Sequence, residues 1–95
     1  MNAAVIRYRT KPTAADENQK LIENVFAELA ETAPEGLSYA SFRLADGVSF
    51  VHVFSGDDAG LTALTAFKEF QRTLGDRLEA GPDREDAGLI GRYAG

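Results

Sequence analysis

Residues 37–54 read LSYASFRLADGVSFVHVF, two runs rich in β-branched and aromatic residues on either side of Asp46-Gly47. Asp-Gly between such runs is a strong hairpin signal, because a two-residue type I′ turn needs φ > 0 at both centres and these residues accept it at little cost. A turn there fixes a register in which Ala45 faces Val48, Arg43 faces Phe50, Ser41 faces His52 and Tyr39 faces Phe54. Side chains alternate along a strand, so Ala40, Phe42, Leu44, Val51 and Val53 share one face. The other carries Tyr39, Ser41, Arg43, Phe50, His52 and Phe54, and both faces hold groups that leave water readily.

Upstream, residues 3–10 (AAVIRYRT) form a short strand with Ile6 and Tyr8 on one side and Val5, Arg7 and Arg9 on the other, ended by Lys11-Pro12. Thr13 is placed to cap a helix, with Asp16 at capping-box spacing, and Asp16 and Glu17 suit the helix dipole. Leu21, Ile22, Val25, Phe26, Leu29, Ala30 and Ala33 recur at helical spacing opposite Lys20, Glu23, Asn24, Glu28 and Glu31, predicting an amphipathic helix that Pro34 and Gly36 stop. After the hairpin, Ser55-Gly56-Asp57-Asp58 supplies a turn and a cap. Leu61, Leu64, Phe67, Phe70 or Gln71, Leu74 and Leu78 then make a second stripe, weakened at its ends by Gly60 and Gly75. Glu79 to Asp86 is polar and turn-rich and reads as a loop, and Ala87 to Tyr93 reads as a last short strand.

The order β-α-β-β-α-β is the ferredoxin-like arrangement, an α+β fold in one domain over residues 1–95, with a four-stranded antiparallel sheet and both helices on one face. The aliphatic face of the hairpin, joined by Ile6 and Tyr8, is the expected mate of the helical stripes. Tyr39, Phe50 and Phe54 would then lie on an uncovered face, and a contiguous apolar patch of that kind calls for a partner. A second copy related by a two-fold axis closes two such sheets into a barrel, so the expected state is a homodimer.

Composition narrows the chemistry. The chain has no Cys and one His, which excludes disulfides, thiolate metal sites and thiol nucleophiles and leaves no expected metal site. A net charge of -5, with no run of basic residues, argues against a nucleic-acid partner. Neither a secretory signal nor a membrane-length apolar run is present, so the chain reads as a soluble cytoplasmic protein with no membrane partner.

Three stretches, VIRYRTKP at 5–12, PEGLSYASFR at 34–43 and FVHVFSGDDAGL at 50–61, carry a resemblance to the dimeric α+β barrel superfamily, and within it to antibiotic-biosynthesis-monooxygenase-like domains. Phe67 to Phe70 and the closing IGRY at 90–93 fit the same pattern. The resemblance implies a pocket between sheet and helices and no cofactor, and activities that include cofactor-independent monooxygenation of polycyclic phenols, haem degradation and isomerisation. Haem degraders resemble one another in an Asn on strand one and a Trp and a His around helix two. Here Val5 and Ile6 stand on strand one, the second helix has no His and the chain no Trp, which argues against haem degradation. Phe54-Ser55 stands where many relatives carry a Trp near the end of strand three, a departure from the quinone-forming members.

His52 is the candidate catalytic residue, since it alone titrates near neutral pH, and burial or a neighbouring Arg would leave it neutral. In one reading it takes a proton from a bound phenol while Arg43, or Arg7 and Arg9, steadies the oxyanion. In the other it is an interface residue bonded to Ser41 or to the second subunit. Tyr8, Tyr39, Arg43, Phe50 and Phe54 complete the candidate substrate-binding set, with Tyr93 as a further ring. Arg7, Arg9, Arg43 and Arg92 would meet either an anionic ligand or carboxylates of the partner. The function thus reads as a small homodimeric barrel that binds a small aromatic or hydrophobic molecule. It is either a cofactor-independent monooxygenase or a non-catalytic ligand-binding or dimerisation module. An enclosed cavity on the order of a few hundred Å³ with His52, an Arg or a Tyr facing it is what separates the two.

Overall fold

The computed structural model describes residues 2–95. Strand β1 (Asn2–Thr10) leads through a 3₁₀ turn at Pro12–Ala14 into α1 (Ala15–Thr32). Strands β2 (Leu37–Arg43) and β3 (Ser49–Gly56) follow, then α2 (Ala59–Thr62), α3 (Thr65–Arg77) and β4 (Leu78–Gly88). The sheet order is β2-β3-β1-β4 with every neighbour antiparallel, the ferredoxin-like fold. No helix among the described residues is long and apolar enough to cross a membrane.

The hairpin pairs in the expected register, from Leu37 opposite Gly56 to Arg43 opposite Phe50. Its turn is a different one. Gly47 N–H donates to Leu44 O (3.0 Å) and Leu44 N–H to Ser49 O (2.8 Å), and within the turn only Gly47 has positive φ, at 78°. Asp46 keeps an ordinary backbone and spends its side chain instead: Oδ1 accepts from the Val48 and Ser49 amides (3.0 and 2.8 Å), and Oδ2 from the Ser49 hydroxyl. Those bonds hold the Asp46 carboxyl at about 2, below the usual range. At the open end, Gly56 has φ 87°, and a Cβ there would lie 1.9 Å from Gly36 O, so the strands converge where only glycine fits.

The covered face is opposite to the expected one. Tyr8 and Phe50, from the sheet, are buried with Ile22 and Val25 of α1, with Leu61, Phe67 and Phe70 of the later helices and with Leu64 between them, while Tyr39 packs against this cluster. Phe50 and Tyr39 are therefore covered by their own polypeptide, and Phe54 lies edge-on to Tyr39 with Arg84 over its ring, so the three do not demand a second copy. Ile6 pairs with His52 and Tyr8 with Phe50, which puts both on the aromatic face; Val5, Arg7 and Arg9 lie with Val51, Val53 and Phe42 on the open one. The physical reason lies in the helices. Asn18 and Arg77 are in phase with the apolar stripes of α1 and α3 and are 0% and 2% exposed, so the face they meet must supply hydrogen-bond partners. The face with Tyr8, Tyr39 and His52 does so through the Tyr8 hydroxyl, which Asn18 meets, while Arg77 is partnered by Asn18 and by its own helix.

Three boundaries also move. α1 starts at Ala15 with no side-chain cap, so the Thr13 cap does not form, and it ends on Ala33 in the left-handed region (φ 43°), whose N–H donates to Leu29 O. The second stripe is two helices, separated by Ala63 and by Leu64 in extended conformation. Glu28 of α1 caps α3 across this break, accepting from the Ala66 amide (2.8 Å) and the Thr65 amide (3.3 Å). The last strand is Leu78–Gly88, covering the segment read as a loop, and Leu89 to Gly95 lie outside the sheet. β4 is an edge strand, where Pro82 is tolerated, and its pairing with β1 shifts register between Arg7 and Thr10.

Candidate functional site

Strand alternation brings Tyr8, His52 and Tyr39 onto one face from three neighbouring strands, β1, β3 and β2. Tyr8 and Tyr39 both stack against the imidazole, with ring centroids 5.3 and 5.9 Å from it. The Tyr8 hydroxyl lies 2.7 Å from His52 Nε2, and the hydroxyls of Tyr39 and Ser41 lie 2.7 and 2.8 Å from Nδ1. Behind Tyr8 the chain of polar groups continues into the helices. Asn18 Nδ2–H donates to the Tyr8 oxygen (2.9 Å), and Arg77 Nε–H donates to Asn18 Oδ1 (2.9 Å). Arg77 spends its remaining donors on the Phe70 carbonyl (3.0 Å) and the Thr73 hydroxyl and lies over the Phe70 ring. No buried side-chain nitrogen or oxygen among the described residues is left without a hydrogen-bond partner, which is what makes the burial tolerable.

Burial sets the protonation states. His52, 4% exposed, is pushed down to about 4 and is neutral at physiological pH. Burial pushes the phenols of Tyr8 and Tyr39 up, so both remain protonated. Burial likewise lowers Arg77 from the ordinary arginine value.

A cavity of about 100 Å³ opens between this network and α3, walled by Ile6, Tyr8, Tyr39, His52 and Phe54 from the sheet and by Phe67 and Phe70 from the helix. His52, Tyr8, Tyr39 and Phe54 thus come together. Phe50 and Arg43 do not join them. Phe50 is buried beside Tyr8, with centroids 5.7 Å apart, and Arg43 lies over its ring while bonding Asp16 (3.1 Å) and Gln19 (2.8 Å) of α1. Arg9 pairs with Glu79 at 3.5 Å, and Arg92, outside the sheet, donates to Ser38. These cations are engaged at the surface, away from the cavity, and Tyr93 is exposed. The described residues contain no group of three or more His, Asp or Glu placed to hold a metal ion.

Asn18 and Arg77 escaped the sequence reading. Their signal was polarity in the wrong place: Asn18 lies four residues before Ile22 and seven before Val25, and Arg77 seven after Phe70, positions that an apolar stripe should fill.

No protein-family model matches the sequence, and no curated protein matches it either. Solved structures do match over nearly the full length. A "putative antibiotic biosynthesis monooxygenase" of Nitrosomonas europaea is 14% identical with a TM-score of 0.78, the match covering 96% of this chain and 100% of that one. A protein of Mycobacterium tuberculosis is 16% identical, with a TM-score of 0.74 and 98% of each chain covered. A Caulobacter crescentus structure described like the first is 18% identical, with a TM-score of 0.73, covering 95% of this chain and 90% of that one. The chain has the fold of these structures, a four-stranded antiparallel sheet in βαββαβ order with its helices on one face.

Proposed function

We propose that the protein holds one compact aromatic or hydrophobic molecule between sheet and helices, with Tyr39 and His52 at its polar end. The supporting observation is the cavity of about 100 Å³, ring-walled on most sides and bordered by buried hydroxyls and a neutral imidazole. At about 100 Å³ the volume is below both the few hundred Å³ expected of an enzyme's pocket and the roughly 150 Å³ of a designed apolar cavity that accommodates benzene, so a single ring is the most it can take, and the polycyclic phenols implied by the family resemblance are excluded. The direct-base role expected of His52 has less support, because both ring nitrogens are already bonded and burial opposes the imidazolium.

A second reading is favoured by the fold shared with structures described as antibiotic biosynthesis monooxygenases. In it a bound phenol gains one atom of O₂ at a ring carbon and becomes a quinone. The other oxygen leaves as water with the two hydrogens the phenol loses, and the phenol supplies all the electrons.

Titration of the protein with toluene and phenol, followed by NMR shifts of the Tyr8, Tyr39, His52, Phe67 and Phe70 rings, tests the site. Leu74 also lines the cavity, so saturable shifts confined to these rings, abolished in a cavity-filling Leu74→Phe variant, are expected; absence of saturation with either probe overturns the proposal. Oxygen uptake with phenol or hydroquinone then separates the readings, since binding without uptake identifies a non-catalytic ligand carrier.

The open face of the sheet also suits a second copy. Val5, Val51, Val53 and Phe42 lie together there, Phe42 is 54% exposed, and Arg7 sits opposite Asp83 of β4 in register. A two-fold axis through that face buries the apolar strip and presents Arg7 and Asp83 to their counterparts, so the proposed homodimer uses the face opposite to the one first expected.

A further inference from the structure

Arginine donates hydrogen bonds and accepts none, so the buried polar chain has a fixed direction at its Arg77 end. Arg77 Nε–H points to Asn18 Oδ1, which turns Asn18 Nδ2–H toward the Tyr8 oxygen. Tyr8, 3% exposed, then has one nearby acceptor for its own proton, His52 Nε2. The reverse order would leave a buried hydroxyl proton with nothing to receive it, which the folded state avoids. Nε2 is therefore the bare nitrogen and Nδ1 carries the ring proton, facing the oxygens of Tyr39 and Ser41 together. Three protons now converge on one small space: Nδ1–H and the two hydroxyl protons. Nδ1 cannot accept, and one hydroxyl can donate to the other oxygen, so at least one hydroxyl proton has no acceptor within the group. Tyr39 borders the cavity.

We infer that Arg77 and Asn18 are positioning residues that fix the proton of His52 on Nδ1, and that Ser41 donates to the Tyr39 oxygen, so that Tyr39 offers a donor to the cavity, whose ligand carries an acceptor oxygen such as an aromatic carbonyl. The second half rests on the cavity being a ligand site; the first half does not.

Long-range ¹H–¹⁵N NMR of His52 reads the first half without any ligand. In the wild-type protein the expected pattern is a bare Nε2 and a protonated Nδ1, and the opposite pattern overturns the inference. Asn18→Asp keeps the side chain's size and its bond to Arg77 but replaces the donor facing Tyr8 with an acceptor. Tyr8 should then turn its O–H to the new carboxylate and the ring proton should move to Nε2, a switch that a merely space-filling residue would not cause; an unchanged nitrogen pattern in a folded variant overturns the positioning role. Benzaldehyde and toluene, one ring with and without a carbonyl, read the second half. Tyr39→Phe should weaken benzaldehyde roughly fivefold, the worth of one neutral hydrogen bond, and leave toluene unchanged; equal effects on both overturn the donor role. Failure of toluene to bind the wild-type protein instead overturns the cavity reading, whatever the nitrogens show.

Discussion

His52 is surrounded by groups that welcome it neutral and resist it charged. Its nearest polar partners are the hydroxyls of Tyr8, Tyr39 and Ser41, with no carboxylate among them. Burial holds its folded value at about 4 against an ordinary 6.5, so between those pH values the unfolded chain binds a proton that the folded chain refuses. The stability this group contributes is complete above pH 6.5 and declines as pH falls toward 4, by on the order of 3 kcal/mol. Urea unfolding of the wild type and of His52→Gln at pH 7 and pH 4.5 checks this, and the wild type should lose more stability than the variant over that interval. Equal losses would place the acid sensitivity elsewhere. At this scale the sequence was half legible. Hairpin alternation put His52 beside Tyr39, but which face was covered depended on Asn18 and Arg77, polar residues hidden in apolar stripes. A reading that counts only greasy positions passes over them.

The elements hold one another in place through contacts that local propensity does not encode. α3 has no N-terminal side-chain cap of its own and takes one from Glu28, 38 residues earlier in the chain on α1. Glu28→Ala should cost about 1 kcal/mol, as loss of a helix cap does, measurable as a lower denaturation midpoint with an unchanged slope. Glu28→Gln should recover part of the loss through its amide oxygen. The register of β2 and β3 was readable because it follows from where the turn lies, whichever turn type closes it. β4 was not readable, because Glu79 to Asp86 has the composition of a loop and an edge strand needs little more than backbone pairing. The break at Ala63 and Leu64 was equally hidden, since Leu61, Leu64, Phe67 and Phe70 keep their burial on both sides of it.

For the molecule as a whole, one covered face and one open face define what association must look like. The open strip of Val5, Val51, Val53 and Phe42 should drive pairing of two chains, each large side chain fully buried there being worth roughly 1.5–3 kcal/mol. Sedimentation equilibrium should therefore return a dimer at micromolar concentration, and Phe42→Asp should shift it toward the monomer without loss of helical signal. A wild-type monomer at those concentrations would rule the pairing out. Along β3, Val51 and Val53 point to the open side while His52 between them points to the cavity. A single layer of backbone thus partitions subunit contact from ligand contact, so a dimer should carry two equivalent sites of the same intrinsic affinity, saturating at a stoichiometry of one per chain whether the chains are paired or apart.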